Sequence, residues 1–138
     1  MATTMTLKPV AKSGKQSEDI LLLTVDWLSD ASGDASVSTA DFNYLFRPIT
    51  QYIQGRQLNI AQTKPGAVTP TSYNAVVTDD NGEDLFGGNL ASRSTTATES
   101  SYTYNTAVYG SRPIDGDLTI TIDTAGNAKT GSITLEFE

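Results

Sequence analysis

The chain reads as all-β: a two-sheet β-sandwich, or a related tulip- or barrel-like closure, built as a single domain with an extended N-terminal arm. Three observations predict it. Apolar and polar residues alternate along the best-patterned segments, which puts one face of each on a core and the other in water. Thr and Ser are abundant while Ala-, Glu- and Lys-rich helical runs are missing, a bias toward strands and hydroxyl-rich turns. Clusters of Gly, Asn and Asp interrupt the segments at short intervals, as turns require. With 138 residues, a core of this kind needs no metal or disulfide support.

Residues 1–18 form the expected arm and 19–138 the domain. The arm carries Lys8, Lys12 and Lys15 against Glu18, so it is locally basic on a chain of net charge −7. Thr3 to Val10 is β-prone, and Pro9 is tolerated near a strand end, so an edge strand is the alternative. Ile20 to Leu28 is the strongest strand and is expected to be central. Leu21, Leu23, Val25 and Trp27 share one face, with the single tryptophan as a core anchor.

A turn at 29–34 precedes a short strand from Ala35 to Thr39. From Asp41 to Ile53 the pattern is ambiguous: Phe42, Leu45, Phe46 and Ile49 fit helical spacing, Phe42, Tyr44 and Phe46 fit alternation, and Pro48 limits both. A strand from Gln57 to Thr63 leads to a Pro-Gly loop. Ser72 to Thr78 then pairs through Asp79-Asp80-Asn81-Gly82 with Glu83 to Phe86 as a hairpin. Residues 89–101 read as a long Ser/Thr-rich surface loop, where contacts with other molecules concentrate. Tyr102, Tyr104, Val108 and Tyr109 mark another strand. From Asp115 to Glu138, Leu118, Ile120 and Ile122 alternate on one side of a Gly/Asn turn and Ile133, Leu135 and Phe137 on the other. This reads as a closing hairpin.

Composition narrows the chemistry. The chain has no cysteine and no histidine, which removes disulfides, thiolate sites, the commonest general base and any Ser-His-Asp triad. No enzymatic role and no cofactor is expected. The acidic balance argues against nucleic acid as a direct partner. The polar N-terminus and the short apolar run Ile20 to Leu23 predict neither a signal peptide nor a membrane span. Two loops, Asp30-Ser32-Asp34 and Asp79-Asn81-Asp84, offer spaced oxygens of the kind calcium takes. Asp, Asn and Gly are also what turns are made of, and the sequence does not decide between the two roles.

The stretch Asp26-Trp27-Leu28-Ser29-Asp30-Ala31-Ser32-Gly33, the Tyr73 to Gly82 segment running into Leu85-Phe86-Gly87-Gly88, and the final Gly116 to Leu135 segment resemble small virion structural proteins of tailed bacteriophages. The resemblance spans residues 20–137 in outline and rests on turn-and-strand patterns, with no catalytic signature. It implies a protein made in the host cytoplasm and added to the virion, most simply a capsid decoration or cement protein on the capsid surface. Its implied partners are the major capsid protein and copies of itself, as a homotrimer. Thr3, Thr4, Met5, Thr6, Leu7, Lys8 and Val10 of the arm would clamp a neighbouring chain by strand addition. Arg47, Arg93, Tyr102 and Arg112 on loops would seat the domain. A neck, tail or fibre-base protein, and a carbohydrate-binding module using loop 89–101, are the alternatives.

Overall fold

A computed structural model describes residues 2–10, 20–105, 108–109 and 112–138. In chain order the strands are β1 (Thr4–Val10), β2 (Ile20–Leu28), β3 (Ala35–Ser38), β4 (Asn43–Tyr44), β5 (Arg47–Pro48), β6 (Gln57–Pro65), β7 (Asn74–Thr78), β8 (Glu99–Tyr102), β9 (Tyr104–Asn105), β10 (Val108–Tyr109), β11 (Arg112–Pro113), β12 (Thr119–Asp123) and β13 (Thr130–Phe137). A single-turn helix α1 (Thr50–Ile53) and a 3₁₀ turn at Thr39–Asp41 are the helical elements. Among the described residues no helix is long and apolar enough to cross a membrane.

The larger sheet runs β1-β2-β13-β6, and the far edge of β6 is shared by β11 and β8. The smaller runs β3-β12-β7. The two stack as an all-β sandwich, as expected. Leu21, Leu23, Val25 and Trp27 of β2 and Ile133, Leu135 and Phe137 of β13 face inward from one sheet. Ile120, Ile122, Ala75 and Val77 face inward from the other. Strict alternation on β13, with every second residue buried, is what one wet and one dry face dictate.

The connectivity departs from the expectation of a closing hairpin. β12 pairs with β3 and β7, whereas β13 pairs with β2 and β6. The turn at 124–129 is therefore an arch between the sheets. From β2 onward the chain keeps changing sheets: β3 and β7 lie across the core from β6 and β8, and β12 from β13. Alternation fixes which side of a strand is apolar and is silent on its hydrogen-bond partner, so a hairpin and an arch look alike in sequence. The hairpin expected after β7 shrinks likewise to one bridge, Thr78 to Asp84. Beyond it, residues 84–93 run irregularly along the edge of β7, with Leu85 and Ala75 amides bonded to Val77 and Leu90 carbonyls.

The N-terminal segment is an edge strand of its own sheet. β1 pairs antiparallel with β2 over all seven of its residues, and Met5 and Leu7 are buried in the core. Thr3 joins in through its hydroxyl, which bonds to the amide of Leu28 at 3.0 Å. The clamp on a neighbour expected of a free arm is thus a contact within this chain for Met5 and Leu7, because their alternation matches the inner face of β2. Residues 11–18 of the expected arm lie outside the described residues.

Candidate functional site

Two surfaces stand out, one flat and one projecting. The flat one is the outer face of the larger sheet. Strand register lines its residues into rows that cross the sheet: Thr4, Asp26, Ser132 and Lys64 in one; Thr6, Thr24, Thr134, Gln62 and Ser100 in the next; Lys8, Leu22, Glu136, Ile60 and Tyr102 in the third. The middle row carries no charge, and the Thr24 and Thr134 hydroxyls lie 3.3 Å apart. With strands about 4.8 Å apart, five of them give a face roughly 20 Å wide. Four residues singled out from sequence, Thr4, Thr6, Lys8 and Tyr102, are exposed here, with Lys8 and Tyr102 at opposite ends of one row.

The projecting surface is the hairpin of β4 and β5. Asn43 pairs with Pro48 and Tyr44 with Arg47, leaving Leu45 and Phe46 as a two-residue loop. Both have positive φ, 49° and 67°, the type I′ geometry whose twist suits a two-residue hairpin and whose usual occupants are Asn and Gly. A side chain with a Cβ strains there by about 1–2 kcal/mol per residue. Phe46 is 100% exposed and Leu45 65%. The tip therefore holds two large apolar side chains in an unfavourable backbone state and turns them toward solvent.

The base of this hairpin is firmly built. Ile49 and Ile53 are fully buried, and the Ile49 amide donates to the Phe42 carbonyl at 2.9 Å. Tyr44 and Tyr52 meet edge-to-face with centroids 5.1 Å apart. Below them the buried Thr39 hydroxyl accepts from the Leu118 amide and lies 2.7 Å from the Thr50 hydroxyl, which donates to Asp117. Both feet of the hairpin are thus tied to the start of β12. Where it meets β1 and β2, a shallow groove opens between Pro9, Leu21, Tyr44, Leu45, Tyr52 and Arg56.

The four loop residues expected to seat the domain separate into two groups. Arg47 and Tyr102 are exposed. Arg93 and Arg112 are buried and serve their own chain. Arg93 Nε donates to the Thr63 hydroxyl at 2.8 Å, and its Nη1 donates to the Asn89 carbonyl and the Ser101 hydroxyl at 3.0 Å. Glu99 stands 3.8 Å from it. Loop 89–101 is pinned to the large sheet by this guanidinium, and Leu90 is buried beside it, so it is less free than its composition suggests. Arg112 donates to the Tyr104 carbonyl and pairs with Glu83 at 2.9 Å. Val10, half-buried, closes β1 opposite Ile20.

The oxygen-rich loops are turns stabilised by their own aspartates. Asp30 accepts from the amides of Ser32 and Asp34, Asp79 from Asn81 and Glu83, and Asp84 from Phe86 and Gly88. The same geometry, carboxylate to the second and fourth amides onward, recurs three times. Among the described residues no group of three or more His, Cys, Asp or Glu is placed to hold a metal ion.

Sequence patterning missed the Leu45-Phe46 tip, since neither turn position holds the Asn or Gly that announces a tight hairpin. The available signal was the two bulky apolar residues between Tyr44 and the Arg47-Pro48 pair, a place where both periodicities fit and neither decided. Comparison of the chain with protein-family models, with curated proteins and with solved structures gives no match.

Proposed function

We propose that the chain is a non-enzymatic structural protein of a phage particle, a decoration or cement protein that lies on the head shell and reinforces it. The observation that supports this reading is the broad outer face of the larger sheet. It carries Thr4, Thr6, Lys8 and Tyr102 from opposite edges into one continuous, hydroxyl-rich surface. Such a face suits many shallow, directional contacts repeated over a lattice, where weak individual affinities multiply.

The rim of the same sheet adds a second mode. β1 ends the sheet, so among the described residues its outer backbone groups face away from any partner strand. A strand of a shell subunit can add there through main-chain hydrogen bonds. Lys8 and Pro9 sit on that rim and restrain indiscriminate pairing. The clamp expected of a free arm becomes, in this form, an edge that receives a strand.

The test is copy number. Mature particles purified from the chain's own source are analysed by quantitative mass spectrometry against the major shell protein. Copies comparable to the number of shell subunits are expected. About a dozen copies, the count of a symmetric ring, would move the chain to the neck or tail, and absence from particles would remove the reading altogether.

A further inference from the structure

We propose that the Leu45-Phe46 tip is a self-association knob, and that the small open groove between Pro9, Leu21, Tyr44, Tyr52 and Arg56, about 70 Å³ in volume, seats the edge of the Phe46 ring from a second copy of this chain. The inference stands apart from the shell reading, because it concerns the protein alone in solution.

The tip is built for display. Two consecutive positive-φ positions filled by Leu and Phe are costly choices where Asn and Gly would fold more easily. Observed strain of this kind is found where a function needs the side chain. Phe46 touches nothing that shields it from water, being 100% exposed, while the hairpin beneath it is anchored by the buried Ile49 and Ile53. A rigid mount and a bare aromatic ring are the two properties of an interface anchor, since little order is lost on binding.

The occupant follows from what lies beside the knob. The groove shares Leu45 with the tip and offers two tyrosine rings, a proline and a leucine, so it is apolar. At its margin the Arg56 guanidinium can stack on an aromatic ring. Asp41, just before the hairpin, and Arg47, within it, are both exposed and of opposite charge. A surface that carries knob and groove side by side, with both signs of charge around them, is complementary to itself. Copies related by a rotation axis near the tip can each place Phe46 in a neighbour's groove, and such an arrangement closes.

Sedimentation velocity on the full chain at about 100 μM tests this, since self-association follows mass action. The wild type is expected to form a discrete closed oligomer. The double variant L45N/F46G is expected to sediment as a monomer and, compared at about 1 μM or below where the wild type has dissociated, to melt roughly 3–8 °C higher once the strain is relieved. That opposite movement separates lost contact from lost folding. R56E is expected to weaken association at least about tenfold. A monomeric wild type, or an oligomer that survives L45N/F46G, would overturn the proposal. Association indifferent to R56E would overturn the groove as the receptor. A monomer that floats with phosphatidylcholine or phosphatidylglycerol vesicles through Phe46 would give the tip to a membrane instead and overturn it as well.

Discussion

The indole of Trp27 lies against the backbone of Gly131, its cross-strand neighbour: a methyl group placed on Gly131 would sit 2.4 Å from Cζ2 and 2.6 Å from Cε2 of the ring. The glycine is what lets the largest side chain of the core lie down between the sheets. From there Trp27 reaches the opposite layer and meets Tyr73 edge-to-face, with centroids 5.0 Å apart. One missing Cβ on β13 thus sets a contact that spans the sandwich.

Gly131→Ala is expected to destabilise the fold by about 2–3 kcal/mol, since neither the strand nor the buried ring can yield freely. Urea melts followed by the fluorescence of the single tryptophan measure the cost in the Trp27 background. Far-ultraviolet circular dichroism measures it in a Trp27→Leu background, where it should fall by half or more. Equal costs in both would mean that the ring is not the obstacle.

Tyr73 is fully buried, and its hydroxyl finds no well-formed hydrogen bond. Burial pushes this phenol above the ordinary tyrosine range, against the opposing influence of Thr63 and Arg93. A group whose folded pKa is raised binds its proton more tightly in the native state. Its stabilising effect is complete below about pH 10, the unfolded value, and is lost as pH climbs toward the folded value. Tyr73→Phe should change stability at pH 7 by less than about 1 kcal/mol, because it removes an unpaired polar atom along with little volume. It should also flatten the decline in melting temperature above pH 10. A steep decline that persists in the variant would assign the alkaline limb to other groups.

Arg93 ties β6, loop 89–101 and β8 together from a buried position. Arg93→Ala leaves Thr63, Ser101 and the Asn89 carbonyl without their shared donor, and should cost about 2–4 kcal/mol. Hydrogen exchange would show where: amides from 94 to 99 should lose protection before those of β2 and β13. Uniform loss across the sandwich would contradict a local pin.

Deleting residues 2–10 takes Met5 and Leu7 out of the core along with the whole ladder to β2. Loss of two buried side chains of this size alone amounts to about 4 kcal/mol or more, a large fraction of the stability of a small domain. The truncated chain is expected to be largely unfolded at 37 °C by circular dichroism. A cooperative melt near that of the full chain would show that β1 is dispensable and return it to the status of an arm.

Asp30 and Asp79 spend their carboxylates on their own turns. Asp30→Ala and Asp79→Ala should each lower stability by about 1 kcal/mol, as lost side-chain caps do. Millimolar calcium should leave the melting temperature of the wild type within about 1 °C, because a ligand raises it only through preferential binding to the native state. A calcium-dependent rise that Asp30→Ala abolishes would make the loop a cation site.

What the sequence determined by itself is the set of faces. The alternation in Ile20–Leu28 placed Leu21, Leu23, Val25 and Trp27 inward, and that in Thr130–Phe137 placed Ile133, Leu135 and Phe137 with them, because burial on a pleated strand has a period that neighbouring residues reveal. The tertiary structure alone decided pairing and exposure. It sent β12 and β13 to different sheets, drew Met5 and Leu7 into the core, turned Arg93 and Arg112 inward, and left Phe46 bare. Each of these depends on which distant strand offers a free edge or an empty volume, and nothing within a few residues of the position records that.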